Sequence, residues 1–436
     1  MDRRNFLKNS AMLGAGAFFT PSMMRSFNAF GAPSDKVKIG VIGCRGQGFT
    51  DLEAFLRLPG TECVALCDVD SNVLSERAAD AEKIQGRKVA NLYKDWRKLI
   101  DDKDVDLVII GTPDHWHCLQ FVAACQAGKD VYCEKPLGNS IEECNIMIRA
   151  AQKSNAIVQV GQWQRSDPHW QDAMEYLHSG AIGKVRTVRV FSYQGWCPSI
   201  PVQPDCAVPE GVDYDMWLGP APKVPFNPNR FHFTFRWFWD YAGGLMTDWG
   251  VHLLDYALVG MKVTTPRSIM ASGGKFGYPD DACETPDLLQ TIYTFNNFTV
   301  MWDHAIGVND GAYGREHGLG FVGEKGTLVV DRSGWEVIPE DVSGVQRMKP
   351  VELHESYGEG GLNLHAKNHL ECIRNRNKLT NCTIEEAAHI AKFCHLGNIA
   401  YRTGKKLTWD GATFGDREAD SYLCKTYRGP WELPKV

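Results

Sequence analysis

The chain has 436 residues, 44% of them hydrophobic and 23% charged, and 47 basic against 53 acidic side chains leave a net charge of −6. That balance, with no basic stripe, excludes a nucleic-acid footprint, and the composition excludes a disordered or fibrous chain. The length implies two or three domains with ample capacity for buried cores.

The first residues stand apart. Asp2, Arg3, Arg4, Asn5, Phe6, Leu7 and Lys8 resemble the twin-arginine export signature, with Asp where Ser or Thr is usual. The apolar run that follows, residues 11–19, is far shorter than the roughly 20 residues that span a bilayer. No cysteine precedes Cys44, so no acylation site closes the segment. Residues 1–32 are therefore expected to be a signal peptide, cut near residues 31–33, that sends a folded protein to the periplasm. The chain has 14 cysteines. Most sit in apolar runs and none form a Cys-x-x-Cys pair, which reads as small core residues. Cys197 and Cys206 are the one pair placed where a disulfide is plausible.

From residue 35 to 160 the pattern alternates apolar strands with amphipathic helices. Strands are expected at 37–42, 61–67, 105–110, 131–133 and 157–160, with helices at 51–58, 73–84, 118–127 and 141–153. This is the order of an α/β doubly wound parallel sheet. The first strand runs into Gly43, Arg45, Gly46 and Gly48, a glycine loop whose spacing departs from the dinucleotide fingerprint because Arg45 holds the second glycine's place. Such a loop lets a backbone approach a pyrophosphate at a helix N-terminus. Asp68 ends the second strand, where a carboxylate binds adenosine ribose hydroxyls and repels a 2′-phosphate, so the expected cofactor is NAD. Thr112, Pro113, His115 and His117 follow a third strand end and are assigned to the nicotinamide side, with Asp114 or His117 capping the next helix. The two histidines lack further ligands at a recognisable spacing, so no metal site is expected. Glu134 and Lys135 follow a fourth strand end and are also assigned to cofactor binding. There an ammonium can polarise a reacting oxygen.

After residue 160 the rhythm changes. Strands at 185–191, 288–295, 298–302 and 327–330, with a hairpin turn at 323–326, indicate a largely antiparallel sheet. Residues 198–228, rich in Pro, Gly and Asp, form a long excursion expected to face substrate. Helices are expected at 364–373 and 384–402. Residues 161–436 read as a substrate-binding and oligomerisation domain. Seven of the 13 Trp fall between Trp163 and Trp249, and Trp163 and Trp237 are candidates for stacking on a sugar ring. Arg165, His169 and Arg236 are assigned to sugar hydroxyls. Asp248 and His252 are four apart, which puts both on one helix face as a carboxylate orienting a general base.

Taken together, the glycine loop, Asp68, the Glu134-Lys135-Pro136 run and the sequence from Gly243 to His252 resemble the Gfo/Idh/MocA family (glucose–fructose oxidoreductase, inositol dehydrogenase and rhizopine catabolism proteins). The resemblance covers nearly everything after residue 35. It implies an N-terminal Rossmann domain and a C-terminal α/β domain with an open, mainly antiparallel sheet used in homo-oligomers, dimers or tetramers. It also implies a catalytic Lys135, Asp248 and His252, in which His252 takes a proton from a carbohydrate hydroxyl and Lys135 steadies the alkoxide. Export removes the soluble NAD pool, so tightly held NAD is expected. A redox-neutral, NAD-assisted glycoside lyase or hydrolase is the alternative, although that branch's own histidine-containing loop is absent here. A non-catalytic sugar-binding protein is the remaining class. The terminal stretch up to Asp410 resembles exported members of the family. No partner other than a small carbohydrate is expected.

Overall fold

In this computed structural model the described residues are 36–358 and 360–436. The proposed export segment lies outside them. The chain opens with β1 (Val37–Ile42), α1 (Gln47–Leu56), β2 (Thr61–Cys67), α2 (Ser71–Gln85) and β3 (Asn91–Tyr93). It continues through α3 (Trp96–Asp101), β4 (Leu107–Ile110), α4 (Asp114–Gln126), β5 (Asp130–Cys133), α5 (Ile141–Lys153) and β6 (Val158–Val160). These strands form one six-stranded sheet in the order β3-β2-β1-β4-β5-β6, parallel at every pairing.

Both faces of that sheet are covered, which is why its central strands carry no alternation: β4 and β5 are buried at every position. Ile39, Val41, Phe55 and Tyr132 belong to one apolar layer, and Val108, Ile110, Phe121 and Val131 to the other. Side-chain caps fix the helix starts, with Asp70 accepting from Asn72 N and Val73 N, and Ser140 from Glu143 N. No helix among the described residues is long and apolar enough to cross a membrane.

The second half adds α6 (Pro168–His178), β7 (Thr187–Gln194), α7 (Tyr214–Leu218), α8 (Gly244–Asp248), α9 (Gly250–Met261), β8 (Ser268–Gly274), β9 (Leu288–Thr294) and β10 (Thr299–Ile306). Then come β11 (His317–Val322), β12 (Gly326–Val330), β13 (Gly334–Pro339), the two-residue ladder β14 (Asp341–Val342) and β15 (Val345–Gln346), and β16 (Val351–Glu355). The chain closes with α10 (Gly361–Asn375), α11 (Ile384–Thr403), β17 (Leu407–Thr408) and α12 (Arg417–Asp420). Nine strands make a second sheet, β16-β13-β12-β11-β7-β10-β9-β8-β17. It is antiparallel except where β10 runs beside β7.

One face of this sheet packs on α9 and α11, burying Trp170, Trp302, Tyr293, Phe321 and Phe393. A capping box between Thr383 and Glu386 starts α11. The other face leaves Met270 and Met301 exposed, each paired with Ile292 of β9.

Two segments from the second half return to the first sheet. Helix α10 seals the β6 edge: His365 Nε2 meets Val160 O at 2.9 Å, and Gln159 Nε2 donates to His365 O at 2.6 Å. The excursion at 198–228 docks on the nucleotide-domain side rather than only facing substrate. Ser71 N donates to Gly211 O and Asp213 N to Val69 O, and Val212 bridges Asp70. Tyr214, Trp217, Phe226, Phe231 and Trp237 give it a core of its own. Cys197 and Cys206 are both free thiols, one buried and one exposed, so the plausible disulfide is not formed.

Candidate active site

The site is a cleft of about 440 Å³ at the carboxyl edge of the first sheet, closed on its far side by residues 216–248. Its floor is backbone. A Cβ on Gly48 would come within 2.3 Å of Gly43 O, and one on Gly111 within 2.4 Å of Gly48 Cα. Gly43 has φ +83. These glycines let the loop after β1, the start of α1 and the end of β4 press together, a cradle that any side chain would fill. Gly46 begins α1 with no side-chain cap and no atom within 4 Å of where its Cβ would stand. That open helix start, lined also by Arg45 and Gln47, fits a pyrophosphate.

At the adenosine end, Asp68 Oδ2 accepts from Cys44 N at 2.9 Å and Oδ1 from Asp70 N at 3.0 Å. The carboxylate is thereby oriented with lone pairs to spare for a ribose. Burial pushes it up to about 6 despite those two N–H donors. Thr112 and Pro113 also line the cleft.

At the other end the two halves of the chain meet. Lys135 Nζ donates to Asp248 Oδ1 at 2.7 Å and to Asp248 O at 3.0 Å. Arg236 Nε donates to the same Oδ1 at 3.2 Å. Burial alone would raise the Asp248 carboxyl, but Lys135 and Arg236 overrule it and hold it well below the usual carboxylate range.

The expected single helix carrying Asp248 and His252 is broken. Asp248 ends α8, and His252 lies in the first turn of α9. In a continuous helix His252 N–H would bond Asp248 O. It bonds Trp249 O at 3.0 Å instead, leaving Asp248 O to the lysine. Asp248 therefore positions Lys135, and no hydrogen bond joins it to the imidazole. Neither ring nitrogen of His252 has a hydrogen-bond partner among the described residues, and its Nδ1 is buried. Burial, then Lys135 and Arg332, hold His252 well below its ordinary value, so the ring is neutral.

Beneath Lys135 lies a pair of buried carboxyls, Glu134 and Asp51, with Glu134 Oε1 and Asp51 Oδ2 unpartnered. Burial raises both, and each favours the protonated form. Asp114 lines the cleft at the start of α4, and burial pushes it up to about 7 against Arg236 and Lys135.

Several residues assigned from sequence are engaged elsewhere. His115 is buried under the excursion with Nε2 on Trp217 O at 3.0 Å, and it does not line the cleft. His117 ties Pro136 O to Thr112 O, each at 2.8 Å. It braces the two loops that carry cofactor-facing residues and does not face the cofactor itself.

Arg165 is not a sugar contact. It makes a two-pronged pair with Asp255, both bonds at 2.7 Å, and a third bond to Glu386. His169 is buried between Asp167 Oδ1 and Asp331 O, both at 2.8 Å. Trp237 is a core residue of the excursion, 2% exposed. Arg236 is in the cleft but committed to Asp248 and to Phe233 O. Trp163 alone among the expected stacking residues stands beside the site, its ring 6.2 Å from that of His252.

Sequence reasoning missed Arg332, which lies between Trp163 and Trp249, and it missed Asp51 and Gln164. Gln164 Nε2 donates to His252 O. Among the described residues no group of three or more His, Cys, Asp or Glu side chains is arranged to hold a metal ion.

Two family models match this chain. One is the NAD-binding Rossmann fold of the Gfo/Idh/MocA oxidoreductase family over residues 37–162, and the other is that family's C-terminal alpha/beta domain over residues 146–297. Together they span more than half of the chain. A levoglucosan dehydrogenase of Pseudarthrobacter phenanthrenivorans is 32% identical over 164 residues, 37% of this chain and 42% of that protein. A glycosyl hydrolase family 109 protein of Shewanella baltica is 30% identical over 171 residues, 35% and 37% of the two chains. The match thus takes in less than half the length of either relative. The fold is similar to that of levoglucosan dehydrogenase solved with NADH and levoglucosan, at a TM-score of 0.64 and 20% identity, covering 86% of this chain and 99% of the other.

Proposed function

Given that the chain belongs to the Gfo/Idh/MocA oxidoreductase family, with its NAD-binding Rossmann domain, we propose that it exchanges a hydride between a carbohydrate hydroxyl and tightly held NAD. The observation that carries this reading is the Lys135–Asp248 bond, which joins the nucleotide sheet's edge to the second half of the chain beside His252. Gly43, Gly46, Gly48 and Asp68 would hold the nucleotide. Bound nicotinamide supplies a two-electron acceptor for a carbinol hydride.

The chain's own groups handle the proton. His252 is neutral and its ring nitrogens are free of partners among the described residues, so it can accept the hydroxyl proton as the C–H bond breaks. Lys135, pinned by Asp248, faces the oxygen that becomes an alkoxide. Pinning takes two of the three Lys135 donors but fixes the direction of the third, which is what orientation contributes to a rate. The docked excursion, bonded to Val69 and Ser71, supports slow nucleotide exchange.

The test is the absorbance of the purified protein before and after a sugar panel. A rise near ~340 nm that survives desalting supports the reading. Absence of any bound or bindable nucleotide would end it. The family 109 relatives motivate a second reading, redox-neutral glycoside cleavage on the same residues. It predicts released aglycone with no lasting change in absorbance.

Export through Arg3 and Arg4 to the periplasm belongs to the same proposal. Arg3→Lys with Arg4→Lys is expected to leave the protein in the cytoplasmic fraction. The outer sheet face around Met270, Ile292 and Met301 is proposed to join copies of the chain, with a dimer or tetramer expected by light scattering.

A further inference from the structure

Near His252, whose ring feels its charge, one cation has no carboxylate partner. Arg332 sits at the β12–β13 turn with its guanidinium 4.8 Å from the Trp163 ring centroid and 4.5 Å from that of Trp249. Its Nε donates to Gln164 Oε1 at 3.2 Å. The indoles and the amide fix the group, yet no carboxylate pairs with it among the described residues. Its neighbour Asp331 is spent on Arg315, Ser333 and Gly334. Asp248 is bonded to Lys135 and Arg236.

Two further polar atoms here lack partners. His252 Nδ1 and His317 Nε2 are both buried and unbonded, and both rings pack near Trp249, at 6.5 and 4.8 Å. Buried groups of this kind are normally satisfied, so two of them beside a guanidinium without a carboxylate point to a ligand. Burial lowers Arg332 to about 10 with only Asp248 opposing, the signature of a cation kept in place without its counter-ion.

We propose that Arg332 is a specificity-determining residue that receives a carboxylate on the substrate, so the substrates are acidic sugars such as hexuronic acids or their glycosides. The chemistry follows from shape. A guanidinium packed 4.8 and 4.5 Å from two indole centroids and tied at Nε to Gln164 keeps its two terminal nitrogens free of protein hydrogen bonds among the described residues, and two such donors match the two oxygens of a planar carboxylate. The inference rests on the carbohydrate reading of the site, but binding tests it independently of hydride transfer.

The experiment is calorimetric titration of the NAD-loaded protein with methyl glucuronide, methyl glucoside and glucose 6-phosphate, alongside Arg332→Met and Arg332→Lys. The 340 nm readout is taken in the same samples, and melting temperature and retained NAD serve as checks on folding. Wild type is expected to favour the glucuronide over the glucoside by on the order of 10- to 100-fold, the worth of a charge-assisted bond. Arg332→Met erases that ratio, while Arg332→Lys keeps part of it.

No preference in wild type, a preference that survives in Arg332→Met, or a stronger preference for the phosphate each overturns the proposal. Equal reduction of NAD by glucoside and glucuronide overturns it while sparing the hydride-transfer reading. A glucuronide preference that needs Arg332, with no reduction by any sugar, does the reverse. If Arg332→Met fails to fold, Arg332→Lys and the wild-type ratio still decide.

Discussion

Along the glycine loop and Asp68 the polar groups are oriented by backbone within the same sheet: Cys44 N and Asp70 N hold the carboxylate, and glycine–glycine contacts set the loop. Around His252 the reverse holds. His252, His317 and Arg332 come from α9, β11 and the β12–β13 turn, and each keeps an atom that no protein group satisfies. The glycine loop and Asp68 are oriented before a ligand arrives, and the groups around His252 are left for one to complete. What a half-site leaves unpaired is therefore better evidence of its ligand than what it pairs.

The sharpest way to break that contrast is to remove the reacting groups. Lys135→Met and His252→Asn should each lower turnover by roughly 10²- to 10⁴-fold, with retained NAD unchanged because neither builds the glycine cradle. Equal loss of NAD and turnover in His252→Asn would show that the two halves are not separable.

Next in size is Arg165. Its pair with Asp255 is largely buried, with side chains 13% and 3% exposed. Removing one partner of a buried pair costs about 3–5 kcal/mol. Arg165→Met should lower the melting temperature steeply and leave substrate KM unaltered in the protein that remains folded. A KM change without a stability change would restore it as a sugar contact.

How much of this was legible in sequence depends on how far away each partner lies. The six parallel strands are apolar runs buried by local pattern, and all but one were readable. The exception, Asn91–Tyr93, is three residues and half exposed. In the second sheet, Ser268–Gly274 and Val351–Glu355 carry glycine or charge on outward positions, so their pattern did not say strand. Lys135 was readable as a strand-end lysine, but its capture of Asp248 O, 113 residues on, was not. That capture breaks the helix that a four-residue spacing suggested. Arg165 and His169 looked like ligands because Asp255, Glu386 and Asp331 lie 90, 221 and 162 residues away. Arg332 gave no sequence signal, since its stacking partners are Trp163 and Trp249.

A smaller effect tests the buried acids. Asp114 is raised by burial from 3.8 to about 7. Between those values the folded protein binds more protons than the unfolded chain, so stability falls as pH rises from about 4 to about 7. At about 1.4 kcal/mol per unit the full drop is at most about 4 kcal/mol, and less if the cleft is wet. Asp114→Asn should flatten the nucleotide-free protein's melting temperature across that window. An unchanged slope would move the effect to Asp51 and Glu134, which Glu134→Gln then tests.

The smallest expected effect falls on the finished half. Asp68 meets two N–H donors with its two oxygens. Asp68→Ala leaves Cys44 N and Asp70 N without those acceptors, at a cost of about 1–3 kcal/mol if no water enters. Asp68 is only partly buried and lines the open cleft, so water should enter and the cost should sit at the low end. The specificity change is more telling than the stability change. Without the carboxylate a 2′-phosphate is no longer repelled, and Arg45 lines the same cleft. The ratio of NAD to NADP affinity should therefore fall by about tenfold, equivalent to about 1.4 kcal/mol, while the glucuronide-to-glucoside ratio stays fixed. If the sugar ratio moved as well, the two halves would be coupled through the docked excursion, which touches Asp70 and Ser71, and the segment after it, which supplies Arg236.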